Sequence, residues 1–348
     1  MTETSTIEDS FWELKWLISN LASHANNKSS EKLLDADYHT LPALQPSLRL
    51  ANKTRFSILA KALAPLPIES HRKLETWTTQ RAQSHKPLQY ILGTQPFADL
   101  DIKLRPPTLI PRWETEEWTM RVVDIVKNHQ PQQRVTNNNT PTRILDFCTG
   151  TGCIALALAH HLPNPKVIGF DISKRAIQLS KLNARRNGVE LKERVWFQQI
   201  DLLDEELRRM DGSCDRIREL FEDAFGPQSV VDVDDGNRWV EYIVSNPPYI
   251  PLHEYRELDK SVREWEDVQA LLGVGNDGLG FYSVIAELAS RLLKQDSKSR
   301  LPRERVFLEI GGSEQVPGVV DALMRNGFSE TEVWKDLAGK DRVVVGKI

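Results

Sequence analysis

Ile144-Leu145-Asp146-Phe147-Cys148-Thr149-Gly150-Thr151-Gly152 runs from an apolar strand into a loop with two glycines, and an apolar helix is predicted directly behind it over Cys153–His161. The glycines let the backbone turn tightly and approach a ligand closely. The start of the helix offers backbone N–H groups that have no partner within the helix. A strand, a glycine loop and a helix in succession are typical of the ligand-binding edge of an open α/β sheet.

The alternation of strands and helices continues to the end of the chain. Further strands are expected at residues 167–170, 195–197, 242–244, 305–310, 331–334 and 342–345, and helices at 174–187, 281–293 and 315–326. Seven strands with intervening helices predict an α/β fold with a doubly wound sheet. We expect this sheet to be mostly parallel, with an antiparallel final strand.

The chain before the glycine loop has a different character. Residues 1–85 carry apolar side chains at helical spacing and predict a small helical domain. Residues 86–112 combine prolines with short apolar runs and predict a linker that bears a hairpin. The sheet domain is expected over 113–348. Within it, the acidic stretch 205–238 interrupts the alternation, and we interpret it as a mobile surface insertion with a short helix at 217–225.

The composition disfavours several classes of protein. The chain has 348 residues, of which 40% are hydrophobic and 27% charged, as in an ordinary globular protein of two domains. The net charge of -4 gives no general attraction to nucleic acid. Cys148, Cys153 and Cys214 cannot form a paired framework of disulfides and indicate a reducing compartment. No apolar run approaches membrane-spanning length, and no CxxC or HExxH spacing indicates a metal site.

Polar groups after the first three strands predict a site for a nucleoside-like ligand. The loop lacks the third glycine of the dinucleotide fingerprint and the Gly-Lys-Ser/Thr of a P-loop, which disfavours a phosphate ligand. Asp171 ends the second strand, where an acid can accept hydrogen bonds from ribose hydroxyls. Its alternative role is that of a helix N-cap, for which Ser173 also qualifies. Asp201-Leu202 follows the third strand, where an adenine ring would reach, although a capping or solvated acid fits Asp201 nearly as well.

Asn246-Pro247-Pro248-Tyr249, directly after the fourth strand, predicts a rigid site for a planar –NH2 group. Proline fixes φ and has no N–H, so the carbonyl of Pro247 stays free to accept a hydrogen bond. The amide oxygen of Asn246 is a second acceptor, and the ring of Tyr249 can stack on a flat group. Taken singly, Tyr249 is compatible with the core and the prolines with an ordinary strand end. By themselves these residues fit a glutamine amide or the exocyclic amine of adenine.

These motifs together resemble the HemK-type (PrmC-like) family of class I S-adenosylmethionine-dependent methyltransferases, which modify peptide-chain release factors on the N5 nitrogen of a glutamine. Pro87–Gly93 resembles the family's linker signature, and Leu109–Glu116 the next signature, although Trp113 stands where a proline is usual. The cofactor loop has Phe147-Cys148 in place of the commoner Leu-Gly, whereas Val244–Ile250 matches the substrate motif without departure. Further matching stretches, in the family's order, are Asn276-Asp277-Gly278-Leu279, Glu309-Ile310-Gly311 and residues 336–342.

The resemblance implies a seven-stranded class I methyltransferase sheet and methyl transfer from S-adenosyl-L-methionine to the glutamine of a Gly-Gly-Gln motif in a release factor. Asn246, Pro247 and Tyr249 are then the candidate catalytic residues, and Pro248 joins them in binding the substrate. No metal is implied. The candidate cofactor-binding residues are Asp146, Cys148, Thr149, Gly150, Thr151, Gly152, Asp171, Asp201, Leu202 and Asn246.

Two other functions remain open from the sequence. The same motif fits N6-methylation of adenine in DNA or RNA, but the net charge of -4 and the small helical domain disfavour an enzyme of nucleic acids. The second alternative is a catalytically silent methyltransferase fold that serves as a scaffold. The intact glycines, Asp171 and Asn246 disfavour that alternative.

The resemblance also implies partners and a location. We expect a release factor as the protein substrate, bound in part by the helical domain, with no direct contact to nucleic acid or a membrane, and a monomeric enzyme. The helical domain and the insertion at 205–238 favour a eukaryotic, mitochondrial form. The acidic start of the chain lacks the arginine-rich composition of a transit peptide, so a cytoplasmic location is the alternative.

Overall fold

The computed structural model describes residues 3–34, 57–134, 141–204, 215–226, 240–293 and 302–348. The chain divides into two units, Met1–Leu92 and Gly93–Ile348. In the described ranges, no helix has both the length and the hydropathy that crossing a membrane requires.

The first unit is helical. Its core contains apolar side chains from several helices, among them Leu21, Ala62, Trp77 and Ile91. An ion pair of 2.7 Å between Arg81 and Glu13 joins the fourth helix to the first. The described helices are α1 (Glu3–His24), α2 (Lys28–Leu34), α3 (residues 57–63), α4 (Ile68–Ser84) and α5 (Leu88–Leu92). The unit therefore extends through α5, beyond the predicted boundary at residue 85.

The second unit carries a hairpin and a large sheet with its helices. The hairpin consists of β1 (Thr94–Phe97) and β2 (Leu100–Lys103). The remaining described elements are α6 (Trp113–Arg134), β3 (Thr142–Phe147), α7 (Cys153–His161), β4 (Pro165–Asp171), α8 (Lys174–Arg186), β5 (Val195–Gln199), α9 (Asp215–Phe225), β6 (Tyr242–Ser245), α10 (Leu252–Glu257), α11 (Lys260–Arg263), α12 (Val268–Leu271), α13 (Gly280–Leu292), β7 (Glu304–Glu309), a 3-10 turn (Ser313–Gln315), α14 (Val316–Arg325), β8 (Glu330–Lys335) and β9 (Asp341–Lys347).

The sheet has seven strands in the order β5-β4-β3-β6-β7-β9-β8. The five strands from β5 to β7 pair in parallel, and β9 runs antiparallel to both β7 and β8. The predicted doubly wound α/β sheet with an antiparallel final strand is thereby confirmed. Because β4 and β6 flank β3 on opposite sides, the chain leaves β3 in both directions. The carboxyl ends of these strands open a crevice at that point, where open α/β sheets bind ligands.

The sheet is buried because its helices bring apolar faces to it. Residues 153–159 of α7 are all buried, as expected for a helix that is hydrophobic on every side. The core around the sheet includes Phe147 from β3, Ile168 from β4, Tyr282 from α13 and Leu308 from β7. This packing fixes the strand ends that carry the candidate site.

Within the second unit, the side-chain amide of Asn183 in α8 binds the hairpin. The Oδ1 atom of Asn183 accepts a hydrogen bond of 2.8 Å from the backbone N–H of Lys103, and its Nδ2 atom donates 2.9 Å to the carbonyl of Thr151. One buried asparagine therefore connects the hairpin to the glycine loop.

The acidic stretch 205–238 is described only at residues 215–226, where α9 agrees with the short helix predicted at 217–225. Phe221, Ala224 and Phe225 are buried in the core around the sheet. The Nζ atom of Lys166 donates 2.9 Å to the carbonyl of Ala224. This part of the stretch is packed against the sheet, which corrects its interpretation as surface; the rest of the insertion lies outside the described residues.

Candidate active site

A cleft of about 870 Å³, including its opening to solvent, lies at the carboxyl ends of β3, β4, β5 and β6. Its lining residues are Thr108, Leu109, Cys148, Gly150, Phe170, Asp171, Ile172, Ser173, Ala176, Ile200, Asp201, Leu202, Leu203, Asn246, Pro248, Asp267, Gln269, Ala270 and Phe281. Cys148, Gly150, Asp171, Asp201, Leu202 and Asn246 among the predicted site residues thus face one cavity.

Two residues of the glycine loop, Cys148 and Gly150, line the cleft, whereas Thr149, Thr151 and Gly152 do not. Cys148, Gly150 and Gly152 have φ values of 60°, 55° and 83°, in the left-handed region that favours glycine. A Cβ atom on Gly152 would lie 2.8 Å from Cβ of Ser180, so only glycine fits there. Cys148 adopts the same conformation with a side chain, at a cost of about 1–2 kcal/mol. This explains why glycine is the commoner residue at that position in the family it resembles.

Asp146 lies behind the loop and not on the cleft. The carboxylate is fully buried, and its Oδ2 atom accepts 2.6 Å from the Thr149 hydroxyl and 3.2 Å from the N–H of Ala155. Its Oδ1 atom has no hydrogen-bond partner among the residues that the structure describes, and burial raises the pKa of Asp146 to about 7. Asp146 and Thr149 therefore shape the loop from behind.

Asp171 lines the cleft and touches the loop. Its Oδ2 atom accepts 2.8 Å from the N–H of Gly150, and its Oδ1 atom accepts 2.8 Å from the N–H of Ser173. Ser173, not Asp171, is the N-cap of α8, because its hydroxyl accepts from the N–H of Ala176. Burial raises the pKa of Asp171, and the two backbone hydrogen bonds oppose that shift. Each carboxylate oxygen keeps a lone pair for a ligand hydroxyl.

The far end of the cleft is an apolar slot with one exposed acid. Leu202 is buried, and Ile172, Ile200 and Leu203 line the cleft beside it. Asp201 is exposed, and its Oδ1 atom accepts 2.9 Å from the N–H of Leu203. These apolar side chains suit a flat ring, and Asp201 lines the same cleft.

Asn246 and Pro248 face the cleft, whereas Pro247 and Tyr249 do not line it. The carbonyl of Pro247 accepts no hydrogen bond from the described residues. The Tyr249 ring packs against the core, and burial raises the pKa of its hydroxyl. Tyr249 thereby occupies the core position that the sequence left open for it.

Residues without a predicted role hold Tyr249 in place. The Nε2 atom of Gln315 donates 2.8 Å to the carbonyl of Tyr249, and its Oε1 atom accepts 2.9 Å from the N–H of Gly311. A Cβ atom on Gly278 would lie 2.1 Å from the Tyr249 carbonyl oxygen, and one on Gly311 would lie 3.1 Å from the ring. The two stretches that resemble the family at 276–279 and 309–311 meet at Tyr249. This contact gives a physical reason for the glycines in both stretches. The sequence offered only their resemblance as a signal.

The side-chain amide of Asn246 also has partners that the sequence analysis missed. Its Nδ2 atom donates 3.2 Å to the hydroxyl oxygen of Thr115, at the start of α6. That hydroxyl donates 2.7 Å to Oε2 of Glu309, which also accepts 2.7 Å from the indole N–H of Trp118. Thr115, Trp118 and Glu309 are all buried.

The rim of the cleft joins the second family signature to α12. Arg112 pairs with Glu266 at 2.7 Å, and the other oxygen of Glu266 accepts 3.0 Å from the N–H of Ile110. The N–H of Asp267 donates 2.6 Å to the carbonyl of Pro107. Trp113 is half exposed and does not line the cleft.

Metal ligands do not cluster in the part of the chain that the structure describes: no three His, Cys, Asp or Glu side chains there are placed to hold an ion.

Comparison with known proteins identifies the family. A model described as a methyltransferase domain matches residues 138–230. The chain is 33% identical over 270 residues to the "Probable MRF1 mitochondrial N(5)-glutamine methyltransferase mtq1" of Schizosaccharomyces pombe, with 76% of each chain covered.

Two further relatives agree. The "Mitochondrial MRF1 N(5)-glutamine methyltransferase MTQ1" of Saccharomyces cerevisiae is 32% identical, with 78% of this chain and 73% of the relative covered. The "Release factor glutamine methyltransferase" of Geobacter sulfurreducens is 35% identical, with 77% and 75% covered. Identity at this level over three quarters of both chains establishes common descent, and the chain belongs to the family of release factor glutamine methyltransferases.

Proposed function

We propose that the protein transfers a methyl group from S-adenosyl-L-methionine to the N5 amide nitrogen of the glutamine in the Gly-Gly-Gln motif of a peptide-chain release factor. The observation that carries the proposal is the position of Asn246. Its amide lies on the same cleft as Asp171, and its Nδ2 atom is engaged by Thr115. A hydrogen-bond acceptor for an amide N–H therefore faces a site for a nucleoside.

The cofactor side of the cleft fits the donor. We assign the Asp171 carboxylate to the ribose hydroxyls, the apolar side chains of Ile172, Ile200 and Leu202 to the adenine ring, and Asp201 to its amine. The support is that all five residues line the same cleft. The loop at Gly150 allows close approach of a ligand. When bound, S-adenosyl-L-methionine supplies an electrophilic methyl group. The cleft supplies binding and orientation, which suits a displacement reaction.

The residues proposed to bind the methyl acceptor compensate for the low nucleophilicity of an amide nitrogen. The lone pair of an amide nitrogen is delocalised into its carbonyl. Oδ1 of Asn246 and the carbonyl of Pro247 accept the two N–H bonds of the glutamine amide and orient its nitrogen. They also favour positive charge developing on that nitrogen, by about 3 kcal/mol each if they match oxyanion-hole donors. Because Gln315 binds the carbonyl of Tyr249 and Gly311 lies close to its ring, we assign Tyr249 the role of fixing the backbone beside the acceptor site.

The test is methyl transfer with an isotopically labelled donor. A mitochondrial release factor, a DNA duplex and a structured RNA are incubated separately, and the tryptic peptide with Gly-Gly-Gln is examined by mass spectrometry. We expect label on that glutamine alone. Label on adenine instead would overturn the proposal in favour of a nucleic-acid enzyme, and cofactor binding without any transfer would revive the scaffold.

Replacing Asn246 tests the acceptor role. Asn246→Ala removes one of two fixed acceptors, so we expect turnover to fall roughly a hundredfold or more while cofactor affinity stays unchanged. Turnover within a few-fold of the parent would contradict this role. Calorimetry with the cofactor serves as the control for folding of the site.

We also propose a mitochondrial location and a monomeric enzyme. The similarity to the two fungal relatives, whose names give them as mitochondrial, supports the location. Fluorescence of the full chain with a C-terminal tag in a eukaryotic cell tests it, and a purely cytoplasmic signal would contradict it. Light scattering after size exclusion tests the monomer against the chain mass of 39.7 kDa.

A further inference from the structure

A buried chain of hydrogen bonds lies behind the Asn246 amide. It runs from Nδ2 of Asn246 to the hydroxyl of Thr115 at 3.2 Å, and from that hydroxyl to Oε2 of Glu309 at 2.7 Å. The indole N–H of Trp118 reaches the same Glu309 oxygen at 2.7 Å. Tyr282 holds the backbone of Glu309 by donating 2.8 Å to its carbonyl.

With Glu309 ionised, the chemistry of these groups fixes the direction of every hydrogen bond. An indole N–H is only a donor, so Oε2 of Glu309 must be an acceptor. The Thr115 hydroxyl has a single proton, and it donates that proton to Oε2 of Glu309. Thr115 can therefore only accept from Asn246. The amide of Asn246 must turn its NH2 group to Thr115 and leave Oδ1 for the cleft.

We infer that Thr115 and Glu309 are positioning residues that set the orientation of the Asn246 amide. This inference rests on the proposed function, because it concerns how Asn246 accepts a hydrogen bond from the substrate amide. An asparagine amide has two ends of nearly equal shape, and the reversed orientation would place N–H against the N–H of the glutamine. The buried carboxylate selects the productive orientation through the threonine hydroxyl.

The position of the chain in the fold supports a role in the site. Thr115 lies in the first turn of α6, and Glu309 ends β7 beside the strand that leads to Asn246. Burial raises the pKa of Glu309, and its hydrogen bonds with Trp118 and Thr115 oppose that shift. A carboxylate that serves only packing would be poorly placed here, since an apolar side chain fills such a site at lower cost.

The variant Thr115→Val tests the inference. Valine has the shape of threonine but cannot accept a hydrogen bond, so both orientations of the Asn246 amide become populated. We expect kcat on the release factor to fall roughly tenfold, as for the loss of one hydrogen bond. The cofactor dissociation constant, measured by calorimetry, should stay within about twofold. Thr115→Ser keeps the hydroxyl and should restore kcat.

The matched control is Thr119→Val, one turn further along α6. Thr119 is also fully buried, but its hydroxyl donates 2.6 Å to the carbonyl of Thr115 and does not reach Asn246. The Thr119→Val variant should lose stability as Thr115→Val does, and its kcat should stay within about twofold of the parent value. Equal losses of kcat in the two variants would reduce Thr115 to a structural residue and overturn the inference.

A double-mutant cycle separates orientation from general damage. Once Asn246 is alanine, no amide remains to be oriented, so adding Thr115→Val should change the residual rate by less than about twofold. A further tenfold loss in that background would overturn the inference. If Thr115→Val does not fold, Thr115→Cys replaces it, because a thiol is a weak acceptor of similar size.

The outcomes distinguish this inference from the proposed function. A parent enzyme that does not methylate the release factor would refute the proposed function before any variant is compared. A parent that methylates the glutamine, with Asn246→Ala impaired and Thr115→Val at the parent rate, would leave the proposed function standing and refute the positioning role alone.

Discussion

Asp146 carries a carboxylate whose surroundings disfavour its charge. One of its oxygens accepts two hydrogen bonds, the other is buried without a partner in the described ranges, and burial raises the pKa to about 7. The unfolded chain keeps the ordinary value of 3.8. Between the two values the folded state holds a proton that the unfolded state has lost. This group therefore lowers the stability of the fold as the pH rises from 3.8 toward about 7.

The variant Asp146→Asn removes this contribution to the pH dependence of stability. The amide oxygen can accept from Thr149 and Ala155 as before, and the amide carries no charge at any pH. We expect the variant to be more stable than the parent at pH 8, and by a smaller margin at pH 5, where only part of the range from 3.8 to about 7 has been crossed. Tm values of the cofactor-free proteins at the two pH values measure this. The same difference in Tm at both values would refute a titrating Asp146.

Asp171 and Asp201 are the two acids on the cofactor side, and they differ in their environment. Asp171 is half-buried and held by two backbone N–H groups, whereas Asp201 is exposed. A hydrogen bond to a charged group contributes about 1.5–3 kcal/mol. We expect Asp171→Ala to weaken cofactor binding by roughly ten- to a hundredfold and Asp201→Ala by only a few-fold. Calorimetry compares them, and equal effects would contradict this assignment.

Single strands and helices were predictable where the residues of the element itself form a recognisable pattern. Apolar runs followed by glycine, proline or acidic residues located all seven strands to within a few residues. The helix α9 was located as well, but its packing was not. An acidic composition suggested a surface segment, while three apolar residues on one face, Phe221, Ala224 and Phe225, place that face in the core.

The insertion helix should therefore contribute to the stability of the whole unit. Phe221 is 1% exposed, and truncation of a buried phenylalanine costs about 3–5 kcal/mol. We expect Phe221→Ala to lower Tm strongly, whereas Glu219→Ala on the exposed face of the same helix changes it little. Thermal unfolding followed by circular dichroism compares the two. A Phe221→Ala variant as stable as the parent would show that α9 is not part of the core.

Across the whole molecule, the site was predictable only where its residues follow a strand end. Asn246 and Asp171 stand directly after β6 and at the end of β4, so their places were visible in the sequence. The contacts of Thr115 were not, because Thr115 lies 131 residues from Asn246 and 194 residues from Glu309 along the chain. Only the packing of α6 against β7 brings them together, and no local pattern encodes that contact.

The helical unit is the proposed binding domain for the release factor, and its exposed aromatic residue offers a test. Trp16 on α1 is 54% exposed, and exposed aromatic side chains often anchor protein interfaces. We expect Trp16→Ala to raise KM for the whole release factor several-fold without changing kcat on a short Gly-Gly-Gln peptide. Ile68→Ala, which alters another exposed apolar residue of the same unit, is the control. An unchanged KM for Trp16→Ala would assign release-factor binding elsewhere.

The two sides of the cleft differ in how the chain builds them. The cofactor side comes from a continuous stretch, Cys148 to Leu203, whereas the acceptor side combines Thr108 and Leu109 with residues from 246 to 281. The general methyltransferase model covers 138–230 and so contains all of the first side and none of the second. A domain of the general methyltransferase type thus contains the whole of the proposed donor side and none of the proposed acceptor side. Substitutions in the separate segments around Asn246 can therefore alter the proposed acceptor side and leave the continuous stretch from Cys148 to Leu203 unchanged.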